Sequence, residues 1–126
     1  MSKILIVEDE ELLQDVYQLV LTKHGHDVSV ASNGQEGLEV LKSATPELIL
    51  LDVFMPVMDG REFLQHFRRG TYPGTKIVVY TNLSDTKTKS DMLELGADEF
   101  ILKASMTPDD LVELVETTLN HNNKES

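Results

Sequence analysis

The stretch Leu48-Ile49-Leu50-Leu51-Asp52 constrains this chain more than any other. Four consecutive apolar residues run straight into one aspartate, and Met55-Pro56-Val57-Met58-Asp59-Gly60 follows as loop. A short apolar run without polar alternation, bounded by turn residues, reads as a strand buried on both faces. The carboxylate at its C-terminal end stands where open α/β sheets put their ligands. Taken alone, Asp52 reads more simply as the residue that ends the strand and caps the next turn. The rest of the chain changes that reading.

Three more apolar runs follow the same plan. Ile4–Val7 ends in Glu8-Asp9-Glu10-Glu11, Lys76–Tyr80 ends at Thr81, and Glu99–Leu102 ends at Lys103. Asp27-Val28-Ser29-Val30-Ala31 instead alternates polar and apolar residues, the mark of a half-exposed strand at a sheet edge. Between the runs, apolar residues recur at helical spacing. These are Leu12, Leu13, Val16, Leu19 and Val20; then Gly37, Leu38, Val40 and Leu41; then Phe63, Leu64 and Phe67; and finally Leu111, Val112, Leu114, Val115 and Leu119. Thr107-Pro108-Asp109-Asp110 announces the last of these helices with a cap hydroxyl, a proline at the first position and acids in the first turn. Thr86 to Leu95 reads as a helix with a polar, threonine-rich first half, weak in intrinsic preference and stopped at Gly96.

Strict alternation of strand and helix predicts an α/β domain: a parallel five-stranded sheet with helices on both faces, joined by right-handed crossovers. Strand order 2-1-3-4-5 places the alternating strand at an edge. The domain is expected over residues 1–120, with a disordered polar tail at 121–126.

At 126 residues the chain fits one domain of ordinary size. No stretch reaches the ~20 apolar residues of a membrane span. Met1-Ser2-Lys3 enters a strand almost at once, without the length or cleavage site of a secretory signal. There is no cysteine, so disulfides and thiolate metal sites are excluded, and a cytoplasmic location is expected. A formal net charge of -11 argues against sequence-independent binding to nucleic acid, which needs clustered Lys and Arg. It suits a generic acidic surface or a cation site. His24, His26, His66 and His121 fit no metal spacing and read as surface residues, whereas Met92 reads as core.

In a parallel sheet all C-terminal strand ends lie along one edge. Glu8 and Asp9, Asp52, Thr81 and Lys103 should therefore converge on one cleft. Carboxylates held close repel one another, and a proton or a cation must relieve that. Hard oxygen donors favour Mg²⁺, which takes one or two carboxylates plus waters and phosphate oxygens. A carboxylate beside such a cation can act as nucleophile and form an aspartyl-phosphate, with Lys103 and Thr81 on the remaining phosphoryl oxygens.

The sequence resembles the receiver domain of bacterial two-component response regulators, over essentially all of residues 3–120. The resemblance rests on Ile4-Leu5-Ile6-Val7-Glu8-Asp9-Glu10, Leu51-Asp52-Val53-Phe54-Met55-Pro56-Val57-Met58-Asp59-Gly60, Tyr80-Thr81, Gly96-Ala97-Asp98 and Lys103. It implies the flavodoxin-like (βα)5 fold of the chemotaxis receivers. It further implies that Asp52 accepts a phosphoryl group from a sensor histidine kinase or a histidine phosphotransfer protein. Asp9 would ligate Mg²⁺ directly, Glu8 partly through water, and the Phe54 backbone carbonyl would be a further ligand beside Asp52. Thr81 would be the switch hydroxyl, Phe100 the aromatic that moves with it, and Lys103 the ammonium that pairs with the phosphoryl oxygens. The resemblance implies no turnover enzyme beyond self-phosphorylation and self-dephosphorylation. Its output is a partner protein or domain reached through the last two helices and the strand between them, or a homodimer formed on phosphorylation. No direct role for nucleic acid or membrane is implied. The chain would be a free-standing receiver or one domain of a larger regulator.

The sequence departs from the family at Ala104, where a proline after a cis bond is usual. Cis before a non-proline residue costs ~2.5–4 kcal/mol, so the Lys103-Ala104 bond is either trans with a shifted loop or cis under strain. Bulky Phe54, Asn82 and Leu83 flank the acceptor and are expected to hinder an attacking water, giving a long-lived phosphoryl group. Three rivals stand against the receiver reading. A flavodoxin would need a Ser/Thr/Gly-rich phosphate loop where Glu8-Asp9-Glu10-Glu11 stands. An aspartate-nucleophile phosphatase needs its nucleophile on the first strand, and usually a cap domain. A degenerate receiver would act as a non-phosphorylated interaction module, a reading that Ala104 and Asn82 leave open.

Overall fold

The structure is a computed structural model, and it describes residues 2–67, 69–82 and 86–124. Among these, strands β1 (Lys3–Val7), β2 (Asp27–Ala31), β3 (Leu48–Asp52), β4 (Lys76–Thr81) and β5 (Glu99–Leu102) alternate with helices. The helices are α1 (Glu11–Lys23), α2 (Gly34–Leu41), α3 (Gly60–His66), α4 (Thr86–Glu94) and α5 (Pro108–Lys124). Every strand pair is parallel and the order is β2-β1-β3-β4-β5, the flavodoxin-like arrangement. β3 is the central strand, and each of its residues is buried.

Alternation along the strands sorts their residues onto two faces. Ile4, Ile6, Leu48, Leu50, Val78 and Tyr80 pack against α1 and α5 through Tyr17, Leu21, Leu111 and Val115. Leu5, Val7, Ile49, Leu51, Ile77 and Val79 pack against α2, α3 and α4 through Leu41, Phe63, Leu64 and Met92. The helices start where local chemistry says they should. Asn33 accepts a hydrogen bond from the Glu36 N–H at 2.9 Å, and Asp59 with Glu62 forms a capping box at α3. Thr107 and Asp110 cap each other's backbone at α5.

Four expectations need correction. Leu12 and Leu19 are 73% and 58% exposed, so they do not belong to the inward stripe of α1. That stripe is Leu13, Val16, Tyr17, Val20 and Leu21, one residue round the helix from the pattern read first. β5 is apolar but only half-buried, because the last strand in the order has a neighbour on one side only. His26 is not a fully exposed residue: it is half-buried, and both ring nitrogens are shut off from solvent and have no hydrogen-bond partner among the described residues. Burial lowers its pKa from the ordinary histidine value, with Glu116 acting in the opposite sense. Finally, α5 continues to Lys124, past the end expected from its polar composition.

The loop after β3 is tightly seated. A Cβ on Gly60 would lie 2.4 Å from the Asp52 carbonyl oxygen, so only glycine lets α3 begin directly beneath the end of β3. The Gly60 N–H donates to the Val53 carbonyl at 2.8 Å. On the other side of the loop, the Gly34 N–H donates to the Met58 carbonyl at 2.8 Å, and a Cβ on Gly34 would meet Met58 Cγ at the same distance. Between these anchors the Met58 N–H donates to the Pro56 carbonyl at 2.7 Å, closing a γ-turn with Val57 at φ 68°. A β-branched residue there is strained, and Val57 is 73% exposed, so packing does not compensate. Val57→Gly should therefore stabilise the fold by about 1 kcal/mol. Relief of ~1–3 kcal/mol of strain exceeds the ~0.5–1 kcal/mol of added chain entropy. Urea denaturation of the two proteins checks this, and a less stable glycine variant would show that the turn is unstrained.

Candidate functional site

Three strands deliver the central groups in one row. Val7 pairs with Leu51, Glu8 and Asp52 stand one residue further on, and Asp52 pairs with Tyr80. By strand alternation Glu8, Asp52 and Tyr80 follow Ile6, Leu50 and Val78, on the face covered by α1 and α5. Glu8 is fully buried and Asp52 is 4% exposed, while Asp9 is exposed. One carboxylate oxygen from each of the three lies within 4.8 Å of the others.

Lys103 enters this row from the end of β5. Its Nζ is 2.8 Å from Glu8 Oε1 and 3.2 Å from Asp52 Oδ2, with Glu10 Oε1 further off at 3.8 Å. Its peptide bond to Ala104 is trans, and Lys103–Ser105 forms a 3₁₀ turn. The departure at Ala104 therefore does not keep the ammonium out of the cluster. The Lys103 Nζ also lies 5.1 Å from the centre of the Tyr80 ring, within cation–π range.

The electrostatics follow from burial and crowding. Burial, and then the Glu8 charge, push the Asp52 carboxyl up to about 6 in spite of Lys103. Burial acts to lower the Lys103 pKa, but the Glu8 hydrogen bond and the Asp52 charge outweigh it and the net shift is upward. Burial and the Glu8 charge together hold the Tyr80 phenol well above its ordinary value. One ammonium faces three carboxylates, so the cluster keeps a surplus of negative charge on hard oxygen donors. That donor set fits Mg²⁺.

Thr81 ends β4 beside Leu102, one residue beyond Tyr80, and is 1% exposed. Phe100, paired with Val79, is half-buried against the core beneath α2, α3 and α4. Phe54 follows Asp52 closely in the loop with its side chain 53% exposed, and Asn82 is exposed. Leu83 lies outside the described residues.

The sequence reading missed Tyr80, taking it as a core strand residue. Its hydroxyl donates to Glu8 Oε1 at 2.8 Å in a fully buried contact. The available signal was a tyrosine in a doubly buried run, since a buried phenol usually finds a polar partner. Two local bonds also hold Glu8: the Glu10 N–H donates to Oε2 at 3.0 Å, and the Gln14 side-chain amide donates to the Glu8 carbonyl.

The raised Asp52 pKa is a statement about stability. Folded Asp52 titrates near 6 and the unfolded group near 3.8, so its contribution is present below 3.8 and is lost as pH rises through 6. Asp52→Asn should therefore melt several degrees higher than the parent at pH 7.5 without divalent cations, on the order of 2 kcal/mol. The advantage should vanish below pH 4. Thermal melts across pH test this, and a destabilised variant at pH 7.5 would mean that the Lys103 pairing outweighs desolvation.

Comparison with known proteins agrees with this geometry. Residues 4–116 match the family model of the response regulator receiver domain. The response regulator ArlR of Staphylococcus saprophyticus is 40% identical over 91% of this chain and 50% of its own length. A probable transcriptional regulator, ycf27 of Porphyridium aerugineum, is 34% identical over 99% of this chain and 51% of its own. The chain thus spans about half the length of the curated relatives it matches. Among solved structures, a CheY-like receiver domain protein from Methanospirillum hungatei superposes with a TM-score of 0.92 at 30% identity, covering 100% of this chain and 99% of that one. The chemotaxis protein CheY4 of Vibrio cholerae gives 0.85 at 29% identity, covering 93% and 98%. Sequence match, strand order and buried acid–lysine cluster lead to one conclusion: this chain belongs to the receiver domain family of two-component response regulators.

Proposed function

We propose that the chain is a phosphoreceiver that takes a phosphoryl group onto Asp52 from a phosphohistidine of a sensor kinase or phosphotransfer protein. The observation that carries this reading is Asp52 itself, a buried carboxylate 3.2 Å from the Lys103 ammonium, with Glu8 and Asp9 oxygens close by. In the reaction an Asp52 oxygen forms a bond to phosphorus as the bond to the donor imidazole breaks, and the imidazole leaves. Asp9, Glu8, Asp52 and the Phe54 carbonyl would hold Mg²⁺. The cation, when bound, supplies positive charge that keeps Asp52 ionised and neutralises charge on the transferring group. Lys103 is already within reach of Asp52 and can follow the new phosphoryl oxygens. The chain catalyses only its own phosphorylation and dephosphorylation. Exposed Phe54 and Asn82 flank the acceptor and slow attack by water.

Phosphorylation adds roughly -1.5 to -2 charges at neutral pH and so draws Lys103 and the Thr81 hydroxyl toward Asp52. α4 is the element most easily moved, because its threonine-rich start has little helix preference and its buried contacts are Thr88 and Met92. Phe100 repacks with Thr81, and the α4–β5–α5 surface presents the change to an output domain, a partner protein or a second phosphorylated copy.

The test is mass spectrometry after incubation with Mg²⁺ and acetyl phosphate. The parent should gain one base-labile phosphoryl group that Asp52→Asn does not gain. No adduct on the parent, where other receivers label under the same conditions, would favour a degenerate receiver acting as an interaction module.

A further inference from the structure

We infer that Tyr80 is a positioning residue for the cation site: its hydroxyl anchors Glu8 in place independently of Lys103. The inference rests on the receiver reading above and names a residue that the reading does not use. Glu8 Oε1 accepts from two donors, the Tyr80 hydroxyl and the Lys103 ammonium, each at 2.8 Å. Glu8 Oε2 accepts from the Glu10 N–H at 3.0 Å.

These donors differ in how they respond to a cation. The Lys103 ammonium is repelled by positive charge placed among Glu8, Asp9 and Asp52, and a phosphoryl group on Asp52 would draw it away from Glu8. The Tyr80 hydroxyl is neutral, buried and fixed. Its ring is fully buried, sits edge-on to Tyr17 at 5.9 Å between centroids, and is carried by the strand beside Asp52. When Lys103 shifts, Tyr80 keeps Glu8 Oε1 turned inward. Oxygen ligands held by such outer partners lose less entropy on binding metal, and removing the partner typically weakens affinity ~10–100-fold.

The experiment uses Tyr80→Phe, which keeps the ring, its packing on Tyr17 and its face toward Lys103, and removes only the hydroxyl. Tyr17→Phe, which removes the neighbouring hydroxyl, is the control. Titration with MgCl₂ followed by amide NMR shifts should give about tenfold weaker Mg²⁺ binding for Tyr80→Phe, with Tyr17→Phe within about twofold of the parent. With acetyl phosphate, Tyr80→Phe should need more Mg²⁺ for half-maximal labelling yet reach the parent rate at saturating Mg²⁺. A merely structural role would not give that split. Mg²⁺ binding by Tyr80→Phe within about twofold of the parent, or an equal loss in Tyr17→Phe, would overturn the inference. A parent that binds Mg²⁺ but takes no phosphoryl group would instead sink the receiver reading and leave the Tyr80 titration to be judged by itself.

Discussion

The ammonium of Lys103 sits between two buried carboxylates, and the charge balance at the strand ends depends on that contact. Glu8 and Asp52 come from adjacent strands and have almost no exposure to water. Desolvation and mutual repulsion would drive one of them to bind a proton if nothing opposed them. Lys103, 2.8 Å from one and 3.2 Å from the other, supplies one positive charge and leaves the cluster with a negative surplus once Asp9 is counted. A buried ion group of this kind contributes little net stability; loss of the ammonium would leave both carboxylates uncompensated, whereas loss of the Asp52 charge leaves Lys103 still paired with Glu8. The cluster is therefore an acidic group that could hold a metal ion rather than a brace for the fold.

Stiffness and softness are divided around it. On the α3 side, Gly60 packs against the end of β3 and Gly34 against Met58, so the loop beneath Asp52 has no slack. A strained γ-turn at Val57 is held between these anchors. On the other side, α4 is tied to α3 by Arg61–Asp91 at 3.0 Å, and Lys87 pairs with the same aspartate at 3.1 Å. Both are partly exposed pairs, each worth ~0–1 kcal/mol. Asp52 is thus held rigidly on one side, while α4 on the other side rests on weaker, partly exposed contacts.

Much of this was legible from residue type and spacing. The runs Ile4–Val7, Leu48–Leu51 and Ile77–Tyr80 carry no polar alternation, and that is the pattern of strands covered on both faces. Their acidic and hydroxyl endings pointed to one edge of the sheet. Local periodicity failed where neighbours decide. Leu12 and Leu19 match a helical stripe as well as Leu13 and Val16 do, yet the angle at which α1 lies on the sheet turns them to solvent. β5 is as apolar as β1 but lacks a strand on its outer side. His26 looks like any turn histidine until its two ring nitrogens are seen to be shut off from solvent.

The sequence by itself determined the class of fold, the edge on which chemistry collects, and the identity of Glu8, Asp9, Asp52, Thr81 and Lys103 as its candidates. It could do so because hydrophobic periodicity and the right-handed crossover act on short stretches of chain. Only the tertiary structure decided that Lys103 reaches both carboxylates through a trans bond to Ala104. Only the tertiary structure showed that Tyr80 donates to Glu8, a contact between residues 72 positions apart. Contacts of that kind depend on strand register and side-chain reach across neighbouring strands, which no local pattern encodes.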